Sequence, residues 1–182
     1  MKDIIERIAN AVDKKKVQSL CKKILKKCDL KTQGSLVNVS DLAVWLYIYG
    51  YLKEAVAICD IIGNLEFTGN YTLWNYTDNA LCLKARIMRE QGNCIGREMI
   101  LQKVNEHRHP ELYPNLVDWY RVTLNENIKS DDEYHPKRIN DGWRIIKLKF
   151  AIRYKEAGGH PIPDEEFEND IQEIKDILKQ VK

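Results

Sequence analysis

The chain has 182 residues, enough for one domain with a proper core and too few for two comfortable ones. Hydrophobic residues make up 44% and charged residues 31%, with nine glycines and five prolines, which excludes disorder and a turn-rich sheet domain. The net charge of +2 carries no basic excess of the kind nucleic-acid binders show, so nucleic acid is not the expected partner.

The charge is segmented: net +6 over 1–31, −5 over 32–133, +5 over 134–160 and −4 over 161–182. Blocks of opposite sign neutralise one another when they pack side by side. Five cysteines (Cys21, Cys28, Cys59, Cys82, Cys94) form no CxxC pair and read as free thiols of a reducing compartment. Met1–Asn10 is charged and periodic, unlike a signal peptide, and no apolar run approaches transmembrane length. A cytoplasmic protein without membrane contact is expected.

In chain order, residues 2–12 place Ile4 or Ile5, Ile8 and Val12 on one stripe. Asp13 caps a second helix whose inner face is Val17, Leu20, Cys21, Ile24 and Leu25, with lysines at 14–16, 22–23 and 26–27 opposite. These lysines read as a solvated face, with recruitment of an acidic partner as the sharper alternative. A connection through Gly34 follows, and either Ser35 or Ser40 caps the third helix. There Leu42, Trp45, Leu46 and Tyr49 share a face. Gly50 supplies the left-handed corner, and Leu52, Ala55, Val56, Cys59 and Ile62 (or Ile58 on a wider stripe) form the return helix.

Gly63–Thr72 is the clearest loop, carrying Phe67 and Tyr71. The next helix runs to about Gln91 on Leu73, Tyr76, Ala80, Leu83, Ile87 and Met88, and Gly92 ends it. Ile95, Met99, Ile100, Val104 and neighbouring Leu101 define a return helix. Leu112–Ile128 is another helix, with Pro114 in its first turn. Pro136 begins the next, which reaches Ala157 on a stripe of Ile139, Trp143, Ile146, Phe150 and Tyr154. Gly158–Gly159 break it, and Pro163–Asp164 open a last helix on Phe167, Ile171, Ile174, Leu178 and Val181. No segment alternates as a strand does, so the chain is expected to be all-α, with about nine helices.

The hairpin around Gly50 resembles a tetratricopeptide repeat (TPR). Leu42 and Ala43 stand at the apolar-then-small pair of that repeat's first helix, Leu46 at its next large position, and Leu52, Glu54 and Ala55 at the opening of its second. A second copy, anchored on Gly92, has Ala85 at the small position and Met88 at the large one. It departs from the pattern at Lys84 and Arg97. Gly50 and Gly92 lie 42 residues apart, against a repeat of about 34, so the excess falls in the Gly63–Thr72 loop. The match centres on residues 36–62 and 78–104. It implies a single TPR-like α/α superhelix over 1–182, with an N-terminal pair (1–31), a core (36–107) and C-terminal helices (112–182). By analogy it implies a groove for a protein or peptide partner, with Tyr47, Tyr51, Phe67, Tyr71, Trp74 and Tyr76 as candidate contacts.

Chemistry-bearing patterns are sparse. His107 and His109, with Glu106 and Glu111, sit beside Pro110 and read as a surface turn rather than a metal site. No HExxH, GxSxG, P-loop or GxGxxG occurs. Arg153 and His160 have the spacing of the Arg…His pair of certain helical ribonucleases, which makes a helical RNA-acting enzyme the alternative function. The aromatics of 136–157 share the apolar stripe and suit a core better than a nucleic-acid face. Its charges suit pairing with the acidic 164–176 segment. The expected function is therefore a non-enzymatic interaction scaffold, a small bacterial regulatory, accessory or immunity protein, with no catalytic residue, cofactor or metal.

Overall fold

The computed structural model describes residues 2–10, 13–66, 71–107, 135–158 and 164–180. Among these residues the secondary structure is eight α-helices and no strand. The expected helix 112–128, the Phe67 loop tip, His109, Glu111 and His160 lie outside them.

Helix α1 (Lys2–Ala9) buries Ile8. Asp13 accepts from the Lys15 N–H at 2.9 Å and starts α2 (Lys14–Lys27), as its position before the lysine run predicts. Val17 and Cys21 of α2 turn inward, while Lys15, Lys16, Lys22, Lys23, Lys26 and Lys27 are exposed. Helix α3 (Gln33–Ile48) follows Thr32, not a serine. The Thr32 hydroxyl donates to the Asp29 carbonyl at 3.0 Å and makes no cap bond, and Ser40 is buried in mid-helix. Every residue from Leu42 to Ile48 is buried, so the expected single stripe widens to the whole circumference. A helix that is apolar all round belongs at the centre of the molecule.

Gly50, at φ +79°, closes α3 and turns the chain into α4 (Leu52–Gly63). The Tyr51 N–H reaches the Leu46 carbonyl at 2.8 Å and the Gly50 N–H reaches Tyr47 at 3.1 Å, the paired bonds of a Schellman end. The same geometry recurs at Gly92 (φ +74°) between α5 (Tyr71–Glu90) and α6 (Cys94–His107). There the Asn93 N–H bonds Met88 and the Gly92 N–H bonds Arg89, both at 2.9 Å. Asn93 also accepts from the Gly96 N–H at 2.9 Å and so caps the next helix. Helices α4 and α5 lie against each other, closely enough at Gly63 that an added Cβ would stand 2.7 Å from Leu81 Cδ2.

On α6 the expected stripe is rotated. Leu101 and Val104 are buried, whereas Ile95 (79%) and Met99 (71%) are exposed. Arg97 sets this rotation by turning inward to Glu156, with Nε 3.0 Å from Oε2. Helix α7 (Asp141–Ala157) also departs from expectation. Pro136 lies in a turn, and the helix begins after Asn140, whose Oδ1 accepts from the Trp143 N–H at 3.1 Å. Its inner residues are Ile145, Leu148, Ala151, Ile152 and Tyr154, while Trp143 and Ile146 of the expected stripe are exposed. Gly158 (φ +66°) ends it, and α8 (Asp164–Gln180) buries Phe167, Ile171, Ile174 and Leu178 as its periodicity predicts. Tyr154 and Phe167 stack at 5.4 Å to join α7 and α8. This hairpin lies across α3 and α5, so α1, α4, α5, α7 and α8 all contact α3.

Candidate functional site

Two polar features result from laying α7/α8 on α3 and α5. The first is a buried ion network. Arg86, 4% exposed, places Nη1 2.6 Å from Glu168 Oε2, Nη2 on Oε1 of the same carboxylate, and Nε 2.8 Å from Glu90. The two-pronged guanidinium–carboxylate geometry fixes orientation as well as charge. The Tyr47 hydroxyl donates to Glu90 at 2.6 Å and accepts from Lys175 Nζ at 2.9 Å. Glu156, with no exposed side-chain surface, draws Arg97 and Arg89 to 3.0 Å and Arg86 to 3.8 Å.

Burial, and then the hydrogen bond to Glu90, push the Tyr47 phenol above its ordinary range. The hydrogen bond from Arg86 holds the Glu168 carboxyl below the usual value. Burial pulls Lys175 down, opposed by Glu90. This network joins α3, α5, α6, α7 and α8 and acts as a structural weld.

The second feature is a cleft of about 470 Å³ between α3, α5 and the N-terminal half of α7. Its walls are Val37 and Asp41 from α3, Asn75, Tyr76 and Asn79 from α5, and Trp143, Ile146, Lys149 and Phe150 from α7. Trp143 is 44% and Ile146 41% exposed. Lys149, 7% exposed, donates to Asp41, and burial pulls its ammonium below the ordinary value against the pull of that carboxylate. The pair is electrically neutral. Asn79, 9% exposed, has an Oδ1 with no hydrogen-bond partner among the described residues.

Of the described candidates Tyr47, Tyr51, Trp74 and Tyr76, only Tyr76 lines this cleft. Tyr47 is 2% and Trp74 8% exposed, both within the core. Tyr51 is half-buried at the Gly50 corner, and Tyr71 is the first residue of α5. Arg153 is fully buried, donates to Asn75 Oδ1 at 2.8 Å and lies 4.8 Å over the Phe150 ring. A guanidinium without accessible surface does not meet a phosphate from solvent.

Sequence reasoning missed Trp143, Ile146 and Asn79. The signal is present in the spacing of Trp143, Ile146 and Phe150, which share a helical face, but an apolar stripe of this kind reads from sequence as core. Among the described residues no three His, Cys, Asp or Glu side chains are placed to hold a metal ion, and all five cysteines are unbridged. No helix among them is long and apolar enough to cross a membrane.

Fold and cleft together define an all-helical protein of packed antiparallel hairpins, with a central apolar helix and a partly open cleft beside it. Residues 1–108 match a family model described as a family of unknown function (DUF6707), and the chain belongs to that family. The matched stretch takes in α1 to α6, hence the α3 and α5 walls of the cleft, and ends before α7. No curated protein and no solved structure matches the chain.

Proposed function

We propose that the protein is a non-enzymatic protein-interaction module of the helical-repeat type, with α3/α4 and α5/α6 as two divergent TPR-like pairs. Several features support the reading. Gly50 and Gly92 close the two hairpins with matching backbone geometry. Ala43, Ala55 and Ala85 are buried at the small positions where helices approach closely. The departures from the repeat pattern are each compensated by charge: Lys84 pairs with Asp60 on α4, and Arg97 with Glu156 on α7.

In such a stack the groove lies along the first helix of each pair, here α3 and α5. The C-terminal hairpin occupies most of that face through Lys149–Asp41, Arg86–Glu168 and Lys175–Tyr47. Among the described residues the cleft stays open. The exposure of Trp143 and Ile146 at its rim carries the proposal, because large apolar side chains anchor protein contacts out of proportion to their number. A protein or peptide is the partner, and a cytoplasmic regulatory, accessory or immunity protein of a bacterium is the setting.

Affinity capture of the tagged full chain from extract of the source cells, followed by mass spectrometry, tests this. One protein in stoichiometric amount is expected, with recovery falling on the order of tenfold for the Trp143→Ala, Ile146→Asp double variant, as for the loss of interface anchors. Recovery of RNA instead, or of no partner, overturns the module reading.

A further inference from the structure

Helix α2 departs from two rules that a merely solubilising helix keeps. Seven of its 14 residues are lysine and none is acidic. Lys22 and Lys26, like Lys23 and Lys27, stand one turn apart, where like charges destabilise a helix. Lys15 and Lys16 occupy the first turn, where the helix dipole favours acids. Local choices that cost stability in this way are characteristic of functional surfaces.

Helical spacing places Lys15, Lys16, Lys22, Lys23, Lys26 and Lys27 on one arc of about 140°, about 18 Å long. All six are exposed, and Ser19 is the other residue of the arc. Val17 and Cys21 are buried on the opposite side, with Leu20, Ile24 and Leu25 half-buried beside them. Among the described residues none of the six lysines has an ion-pair partner. The acids nearby are otherwise engaged. Asp13 and Asp29 accept the backbone N–H of Lys15 and Lys31 at 2.9 and 3.0 Å, and Glu54 of α4 accepts from Gln18 Nε2 at 2.9 Å.

The residue types missing from α2 narrow the kind of anion. No apolar side chain lies on the arc, so it has nothing to bury in a bilayer as interfacial helices do. The helix has no aromatic side chain and no arginine for a base to stack on. Lysine ammonium groups are flexible point charges and suit carboxylates held in no fixed geometry. The positive charge is also local: against +6 over residues 1–31, the rest of the chain is net −4. A long polyanion would run on to surface of its own sign, whereas a short acidic segment ends with the arc.

We propose that α2 is a docking face for an acidic segment of a partner protein, whose carboxylates lie along the arc from Lys15 to Lys27. Binding relieves the repulsion among the lysines, which the folded chain by itself leaves uncompensated. None of these lysines lines the cleft, so the assignment stands whether or not Trp143 and Ile146 anchor a partner.

The test uses the full chain and labelled, blocked peptides with glutamate, or glutamine in its place, at every second residue. Fluorescence anisotropy reads binding, with an oligothymidylate and phosphatidylserine–phosphatidylcholine vesicles as competitors. The glutamate peptide is expected to bind about tenfold or more tightly than its glutamine counterpart, and to weaken several-fold as salt is raised to about 0.15 M. Neither competitor should displace it at equal charge concentration.

Lys22→Glu combined with Lys23→Glu separates binding from folding. It puts a glutamate one turn before Lys26 and Lys27, the favourable order. Tm is therefore expected to hold or rise, by up to about 2–4 °C, while the glutamate peptide weakens on the order of tenfold. Lys22→Gln with Lys23→Gln should weaken it less, and Lys179→Glu, exposed on α8 and off the arc, should bind as wild type. Equal binding of the glutamine peptide, displacement by either competitor, a glutamate double variant that binds as wild type or loses binding only with its Tm, or an equal loss in Lys179→Glu would each overturn the proposal.

Discussion

Gly50 and Gly63 are both glycines at helix ends, but they are needed for different reasons. At Gly50 the backbone is left-handed and nothing lies within 4 Å of an added Cβ, so only conformational strain opposes a side chain. Gly50→Ala is expected to cost about 1–2 kcal/mol in denaturant unfolding. At Gly63 the backbone is ordinary, but Leu81 blocks the space at 2.7 and 3.2 Å. Gly63→Ala therefore overpacks the α4–α5 contact, at about 1–3 kcal/mol. A Leu81→Ala background should relieve part of the second cost and none of the first. The Gly50 requirement was legible from sequence because a helix corner is a local event. The Gly63 requirement was not, because Leu81 is 18 residues away and reaches Gly63 only through packing. The cysteines divide similarly: burial raises the Cys21 thiol to about 11, Cys59 is fully buried, and Cys94 is exposed.

At the scale of elements, α6 and α7 show how long-range charge decides which face of a helix turns inward. Both have apolar side chains at helical spacing, and in both some of these face water, while α6 turns Arg97 toward Glu156 and α7 buries Arg153 and Glu156. Glu156 is the pivot, with three guanidiniums within 3.8 Å. Glu156→Ala would leave Arg86, Arg89 and Arg97 facing one another without the carboxylate that holds them together. Breaking a buried charge cluster by removing one partner costs about 3–5 kcal/mol. Urea denaturation followed by circular dichroism is expected to show a loss in that range. Glu156→Gln, which keeps hydrogen-bond acceptors, should lose less. The basic block of 134–160 does pair with the acidic block that follows it, through Lys147–Asp170 at 3.0 Å and Lys137–Glu173 at 3.2 Å. Segmental charge in the sequence announced that pairing. It did not announce that Arg86 and Arg97, outside both blocks, would join.

For the molecule as a whole, attachment of the α7/α8 hairpin to α3 and α5 is partly a matter of pH. The Glu168 carboxyl is held below its usual value of 4.5, first by the hydrogen bond from Arg86. A group whose folded pKa is depressed stabilises the fold fully above its unfolded value, and that stability is lost as pH falls through the lower folded value. Acid titration of the wild type should therefore show stability declining below about pH 4.5. Glu168→Gln should be less stable than wild type at pH 7, with the difference closing in acid. Glu168 is partly exposed, and salt should shrink the effect.

From the sequence alone came the all-helical class, the glycine corners at 50 and 92, the Asp13 cap and the inner face of α8. Each depends on residues within a few turns of one another, where spacing and backbone preference suffice. Tertiary structure decided the burial of α3 on every side, the rotation of α6 and α7, the withdrawal of Tyr47 and Trp74 into the core, and the opening of a cleft at Trp143. Those outcomes depend on contacts such as Lys149–Asp41 and Arg97–Glu156, made between residues 108 and 59 positions apart. A helix can turn any of several faces inward at similar apolar gain, and a buried charge that must meet its partner selects among them.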